Sequence, residues 1–116
     1  MKKLSAQLRT FKTGATRDTD ENKLDYDGFL SPLALERFAQ YMDGHRTLAD
    51  GSRRDSDNWQ KGIPADAYRK SMWRHFMDFW SLSRQGKVGD LIEDALCAII
   101  FNAQGYLHEL VKARSQ

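Results

Sequence analysis

The chain has 116 residues, 41% hydrophobic and 29% charged, which is enough for one hydrophobic core and too little for a second independent one. Its 18 basic residues against 16 acidic leave a formal charge of +2, a field too weak to imply bulk binding to nucleic acid or to a membrane surface. The lone Cys97 excludes an intramolecular disulfide, no apolar run reaches the roughly 20 residues of a membrane span, and Met1 to Phe11 lacks a signal-peptide core, so a cytoplasmic protein in a reducing compartment is expected.

Residues 1–30 are polar and turn-rich, with Gly14, the acids Asp18, Asp20, Glu21, Asp25 and Asp27, and Gly28, and they lack a sustained apolar period. They read as an extended arm that orders on docking. Ser31-Pro32 then offers a cap and a first helical residue, and Leu33, Leu35, Phe38, Ala39 and Met42 mark the apolar face of a helix ending near Gly44. From His45 to Pro64 the chain is polar again, with Asp50-Gly51 and Gly62 as turn signals and Trp59 and Ile63 as apolar plugs. A loop this long in a compact protein is a candidate functional or lid segment.

A second helix is expected from about Ala65 to Gln85, stopped by Gly86. It carries two adjacent apolar stripes: Tyr68, Met72, Phe76 and Phe79 in one, Trp73, Met77 and Trp80 in the other. The third helix opens at Gly89-Asp90, and its apolar residues recur every three or four positions from Leu91 to Leu110, before Lys112 and Arg114. The fold class is therefore all-α: a small bundle of about three main helices over residues 31–116, an extended N-terminal arm, and a long loop between the first two helices. Aromatic packing is expected to supply much of the core. Ala95 to Phe101 is apolar on every side, and three helices can hardly cover it, so a homodimer or higher assembly is expected. Cys97 reads as a small buried hydrophobe within that run.

Ser71, His75 and Asp78 share one face of the second helix. A His and a carboxylate at this spacing can form an acid/base pair or bind a divalent metal, or Asp78 can simply hydrogen-bond His75 or Arg74 at the surface. Asp90, Glu93 and Asp94 place three carboxylates in about one turn. They suit Mg²⁺ or Mn²⁺ as hard oxygen ligands, and they equally suit the positive end of a helix dipole. Asn102, inside an apolar pattern, either specifies a helix contact or faces a ligand pocket. In the arm, Arg17 and Lys23 flank Asp18, Asp20 and Glu21, where they can clamp a phosphate or salt-bridge to the helices. No Walker loop, dinucleotide fingerprint, paired zinc cysteines or nucleophile elbow is present.

The stretch from Thr13 to Pro32, with Arg17, Asp20, Lys23 and Tyr26 in order and then Leu30 and Pro32, is followed by Asn58-Trp59, Gly62, and Arg74-His75 leading to Trp80. These spaced pieces resemble phage and prophage dATP/dGTP diphosphohydrolase N-terminal domains, which are similar to the all-α nucleotide pyrophosphohydrolases of the MazG type. The resemblance implies Glu93 and Asp94, with Asp90 and Asp78, as ligands of Mg²⁺ or Mn²⁺, and Arg17, Lys23 and Arg74 as phosphate contacts.

Two functions are thus expected in competition. One is metal-assisted hydrolysis of a nucleoside triphosphate, such as dATP or dGTP, with His75 assisting proton transfer. The other is a non-catalytic phage accessory protein that binds a nucleotide or a host protein. DNA binding through Arg46, Arg53, Arg54, Lys61, Arg69 and Lys70 is not expected, because Asp50, Asp55, Asp57 and Asp66 are interspersed among them.

Overall fold

The computed structural model describes residues 8–19 and 22–115 and is mainly helical. In chain order it has β1 (Leu8–Thr10), β2 (Thr16–Asp18), α1 (Tyr26–Phe29), α2 (Pro32–Gly44), a 3-10 turn (Asn58–Lys61), α3 (Ala65–Arg84) and α4 (Asp90–Arg114). Its contacts divide it into two compact units, residues 1–31 and 32–116. No helix among the described residues is long and apolar enough to cross a membrane.

The N-terminal unit precedes the helical bundle as the expected extension, and it holds a short β-pair and one helical turn that the sequence did not signal. β1 and β2 pair antiparallel, with Arg9 opposite Arg17 and Leu8 opposite Asp18. The turn between them is closed by the Phe11 N–H donating to Ala15 O and the Gly14 N–H to Phe11 O, both at 2.9 Å. Gly14 has φ of +90°, a conformation other residues adopt at a cost. The Arg9 guanidinium stacks 4.9 Å from the Phe11 ring centroid. Strands of three residues are too short to print an alternating pattern, which is why the pair is not visible in the sequence. The Asp25 carboxylate accepts from the Gly28 N–H at 2.9 Å and starts α1. Asp20 and Glu21 lie outside the described residues.

In the second unit, α3 and α4 form an antiparallel hairpin with α2 against α4. The hairpin turns where the sequence signals it. Gly86, at φ +70°, donates its N–H to Ser83 O, and Lys87 donates to Leu82 O, both at 3.0 Å, so the last carbonyls of α3 are satisfied by a left-handed cap. The long loop is ordered by its own backbone bonds: Leu48 N–H to Ser52 O at 2.7 Å and Arg54 N–H to Arg46 O at 2.9 Å close a hairpin-like turn.

The core differs from the expected aromatic one. Tyr68, Ala95, Cys97, Ala98, Asn102 and Gly105 are buried, so α4 presents small residues and a single large ring from α3 lies on them. Close approach of the helices follows from those small side chains. The second aromatic stripe of α3 is left outside, with Trp73 65% and Trp80 50% exposed. On α2 nothing is fully buried, and Leu33 is 83% exposed although its spacing suggested an inward position.

Candidate functional site

The second unit has a cleft of about 500 Å³ bounded by α2, the 45–61 loop, α3 and α4. That size falls in the range of small-molecule sites, roughly 300–1,000 Å³. Its apolar walls are Phe38, Met42, Trp59, Ala98 and Phe101. Trp59 enters from the 3-10 turn and meets Phe101 edge-on at 6.4 Å and His108 at 4.8 Å, so the expected plug doubles as a cleft wall.

The polar groups come from every side. α3 contributes Ser71 and His75, α4 contributes Asn102 and Gln104, the end of α2 contributes Asp43, and the loop contributes His45, Arg46, Arg54, Asp55, Ser56 and Asn58. Arg46 is partly committed, since its Nε donates to Arg54 O at 3.0 Å and Nη1 reaches Asp43 at 3.4 Å. Arg54 uses its backbone for the turn and its guanidinium has no partner among the described residues. Asn102, 4% exposed, donates Nδ2–H to Ala98 O one turn back in its own helix at 2.7 Å, and it lines the cleft. At the end of α2, His45 stacks against Tyr41 at 4.2 Å and donates Nδ1–H to the Tyr41 carbonyl at 2.8 Å. A carbonyl can only accept, so Nδ1 carries a proton in this contact.

A smaller hollow of about 420 Å³ adjoins it, lined by His45, His75, Asp78, Ser81 and Asp94 among others. The shared face expected of α3 is thus present: Ser71 and His75 line the larger hollow, and His75 and Asp78 the smaller. Burial pushes the Tyr41 phenol above its ordinary value, with the Asp94 charge adding to the effect.

The carboxylates of α4 are engaged elsewhere. Arg37 of α2 donates from Nε to Glu93 Oε1 at 2.8 Å and from Nη2 to Asp94 Oδ1 at 2.7 Å. Bonds to Asp94 and then to Glu93 hold the guanidinium charged beyond its already high value. Asp90 is exposed at the start of α4, where it and Glu93 fall in the first turn and meet the positive end of the helix dipole. Among the described residues no group of three or more His, Cys, Asp or Glu side chains could hold a metal ion. As arranged, then, Asp78, Asp90, Glu93 and Asp94 do not form a cage for Mg²⁺ or Mn²⁺.

Arg74 is exposed on α3 and is not among the residues lining either hollow. Arg17 lies in β2 and Lys23 in the irregular stretch before α1, both exposed in the N-terminal unit. Arg37, His45 and the cleft-lining role of Arg46, Arg54 and Trp59 escaped sequence reasoning. The one available signal was the unusual length of the loop that carries four of them. Compared with protein-family models, with curated proteins and with solved structures, the chain has no match in any of the three.

Proposed function

We propose that this chain is a cytoplasmic, phage-type nucleotide-binding protein that takes a nucleoside phosphate in the cleft between α2, α3 and α4. The observation that supports this reading is the meeting of aromatic walls, Trp59 and Phe101, with two loop cations, Arg46 and Arg54, around one hollow of about 500 Å³. Rings accept a planar base by stacking, and guanidinium groups accept phosphate oxygens in pairs. Asn58, Asn102 and Gln104 supply the donors and acceptors that a base edge requires. Titration calorimetry with dATP, dGTP and inorganic pyrophosphate tests it. Saturable binding of the nucleotides that is lost in Trp59→Ala and weakened in Arg54→Ala is expected, and no heat from any of the three would overturn it.

Hydrolysis of the bound triphosphate is a second reading, favoured by one observation: His75 lines both hollows and shares the smaller with Asp78 and Asp94. An imidazole so placed can carry a proton to or from a reacting phosphate. Release of pyrophosphate from dATP or dGTP, measured with added Mg²⁺ or Mn²⁺, separates the readings. Turnover lost in His75→Ala and in the Glu93→Ala, Asp94→Ala pair supports the enzyme; background rates from folded wild type leave the binding protein.

The reading includes self-association. The apolar circumference of α4 is only half covered by its own chain, with Ala95, Cys97 and Ala98 buried while Leu96 and Ile100 stay about 40% exposed.

A further inference from the structure

Helix α4 carries two rows of residues at alternating three- and four-residue spacing. The inner row, Ala95, Ala98, Asn102 and Gly105, is buried against α3. The outer row, Leu96, Ile100, Ala103, Leu107 and Leu110, repeats at intervals of four, three, four and three and stays open to solvent to an extent that grows along the helix: Leu96 is 40%, Ile100 39%, Leu107 61% and Leu110 55% exposed. Such a heptad row is how a helix in a bundle presents itself to another helix. On α3, Trp73, Met77 and Trp80 lie on the face turned away from Tyr68 and His75, and they are 65%, 52% and 50% exposed. Trp73 and Phe76 pack edge to face at 6.4 Å, which stiffens this aromatic row.

We propose that a second copy of this chain covers the outer face of the α3–α4 hairpin, with the aromatic row of α3 seated against the aliphatic heptad row of the other copy's α4. The proposal rests on the self-association reading above and names its surface. Area argues for it. At roughly 150–250 Å² per aromatic side chain, Trp73, Phe76 and Trp80 leave on the order of 350 Å² of ring surface open. With Met77 and the outer row of α4 the face approaches the ~800 Å² per partner that a standard interface buries, and exceeds the ~300–600 Å² of the largest patch on an ordinary monomer. Charge argues for the pairing of α3 with α4 rather than with α3. Arg69 and Arg84 bracket the aromatic row, and two such helices laid antiparallel on each other would set like charges face to face. The α4 row is uncharged from Leu96 to Leu110 and carries a cation, Arg114, only where it continues into the last turn.

Sedimentation equilibrium of the full chain tests the proposal, together with quenching of tryptophan fluorescence by acrylamide on dilution. Wild type should sediment at twice its 13.4 kDa monomer mass, and its quenching should rise as it dissociates. Trp73→Glu and Leu107→Glu alter exposed positions, so each should keep its helical circular dichroism while raising the dimer dissociation constant by at least about thirtyfold. Met77→Lys provides a second, independent disruption on α3. A wild-type monomer across the concentration range ends both this proposal and the self-association reading. A wild-type dimer undisturbed by all three substitutions ends this proposal alone. A monomer that sediments with phosphatidylserine vesicles through the same residues assigns the face to a lipid surface, and also overturns it.

Discussion

The ring of Tyr68 occupies the space that a side chain on Gly105 would need: a Cβ built at Gly105 would overlap the ring carbons and the hydroxyl. Tyr68 is 1% exposed and packs edge-on to Phe101 at 5.9 Å, so it has no room to retreat. Alanine is the better helix former by about 1 kcal/mol, yet overpacking a close contact costs about 1–3 kcal/mol. Gly105→Ala should therefore destabilise the protein by up to about 2 kcal/mol in urea unfolding. Adding Tyr68→Leu should recover part of the loss, a non-additivity that an unrelated pair of sites would not show.

The Tyr68 hydroxyl is buried without a hydrogen-bond partner among the described residues. A buried polar group left unpaired costs about 1–3 kcal/mol, so Tyr68→Phe should leave stability at pH 7 unchanged or raise it by about 1 kcal/mol. A melting-temperature comparison checks this directly.

Alkaline pH should destabilise the fold. Burial raises the Tyr68 phenol, helped by the Glu109 charge; burial likewise raises the Tyr41 phenol and the Cys97 thiol. The folded state then holds these protons more tightly than the unfolded chain does. Their contribution is whole below the ordinary values, 9.0 for the thiol and 10.0 for the phenols, and is lost as pH rises through the higher folded values. The melting temperature should fall above about pH 9, with a shallower slope in Tyr68→Phe.

Arg37 ties α2 to α4 through two carboxylates that are nearly half exposed, 46% for Glu93 and 49% for Asp94. Solvent screening limits such a fork, so Arg37→Met should lower the melting temperature slightly at low salt and by less in 1 M NaCl. An equal loss at both ionic strengths would show that the stem's packing, not its charge, holds α2.

Arg54 is exposed and its guanidinium has no partner among the described residues, so Arg54→Ala should leave the melting temperature in place. If the cleft takes a phosphate, the same change should weaken nucleotide binding by about ten- to a hundredfold, the worth of one charge-assisted hydrogen bond. Equal affinity for both proteins in calorimetry would remove Arg54 from the site.

Much of the helical framework was legible along the chain because its signals are local. Pro32 opens α2, Gly86 ends α3 and the long apolar period of α4 stands out, all of which depend on residues within a few positions of one another. The burial of Cys97 was legible for the same reason, since it sits in an unbroken apolar run. The site was legible only in part. Ser71, His75 and Asp78 could be placed on one face by counting residues, and the structure brings them to adjoining hollows. Arg37 could not be found, because its partners lie 56 and 57 residues away. Nor could the sequence tell which aromatic stripe of α3 would be covered. Both have the same period, and the small residues on α4 selected the row containing Tyr68 and left Trp73 and Trp80 outside.

Local chemistry alone therefore determined where the helices begin and end, that Cys97 is a buried hydrophobe, and which residues of α3 share a face, because caps, turns and periodicity act over a few residues. Only the tertiary structure decided that Glu93 and Asp94 answer to Arg37, that the long loop brings Arg46, Arg54 and Trp59 to a cleft, and that an aromatic row stays open to solvent. Those outcomes turn on which distant surfaces meet, and the spacing of residues along one helix carries no record of its neighbours.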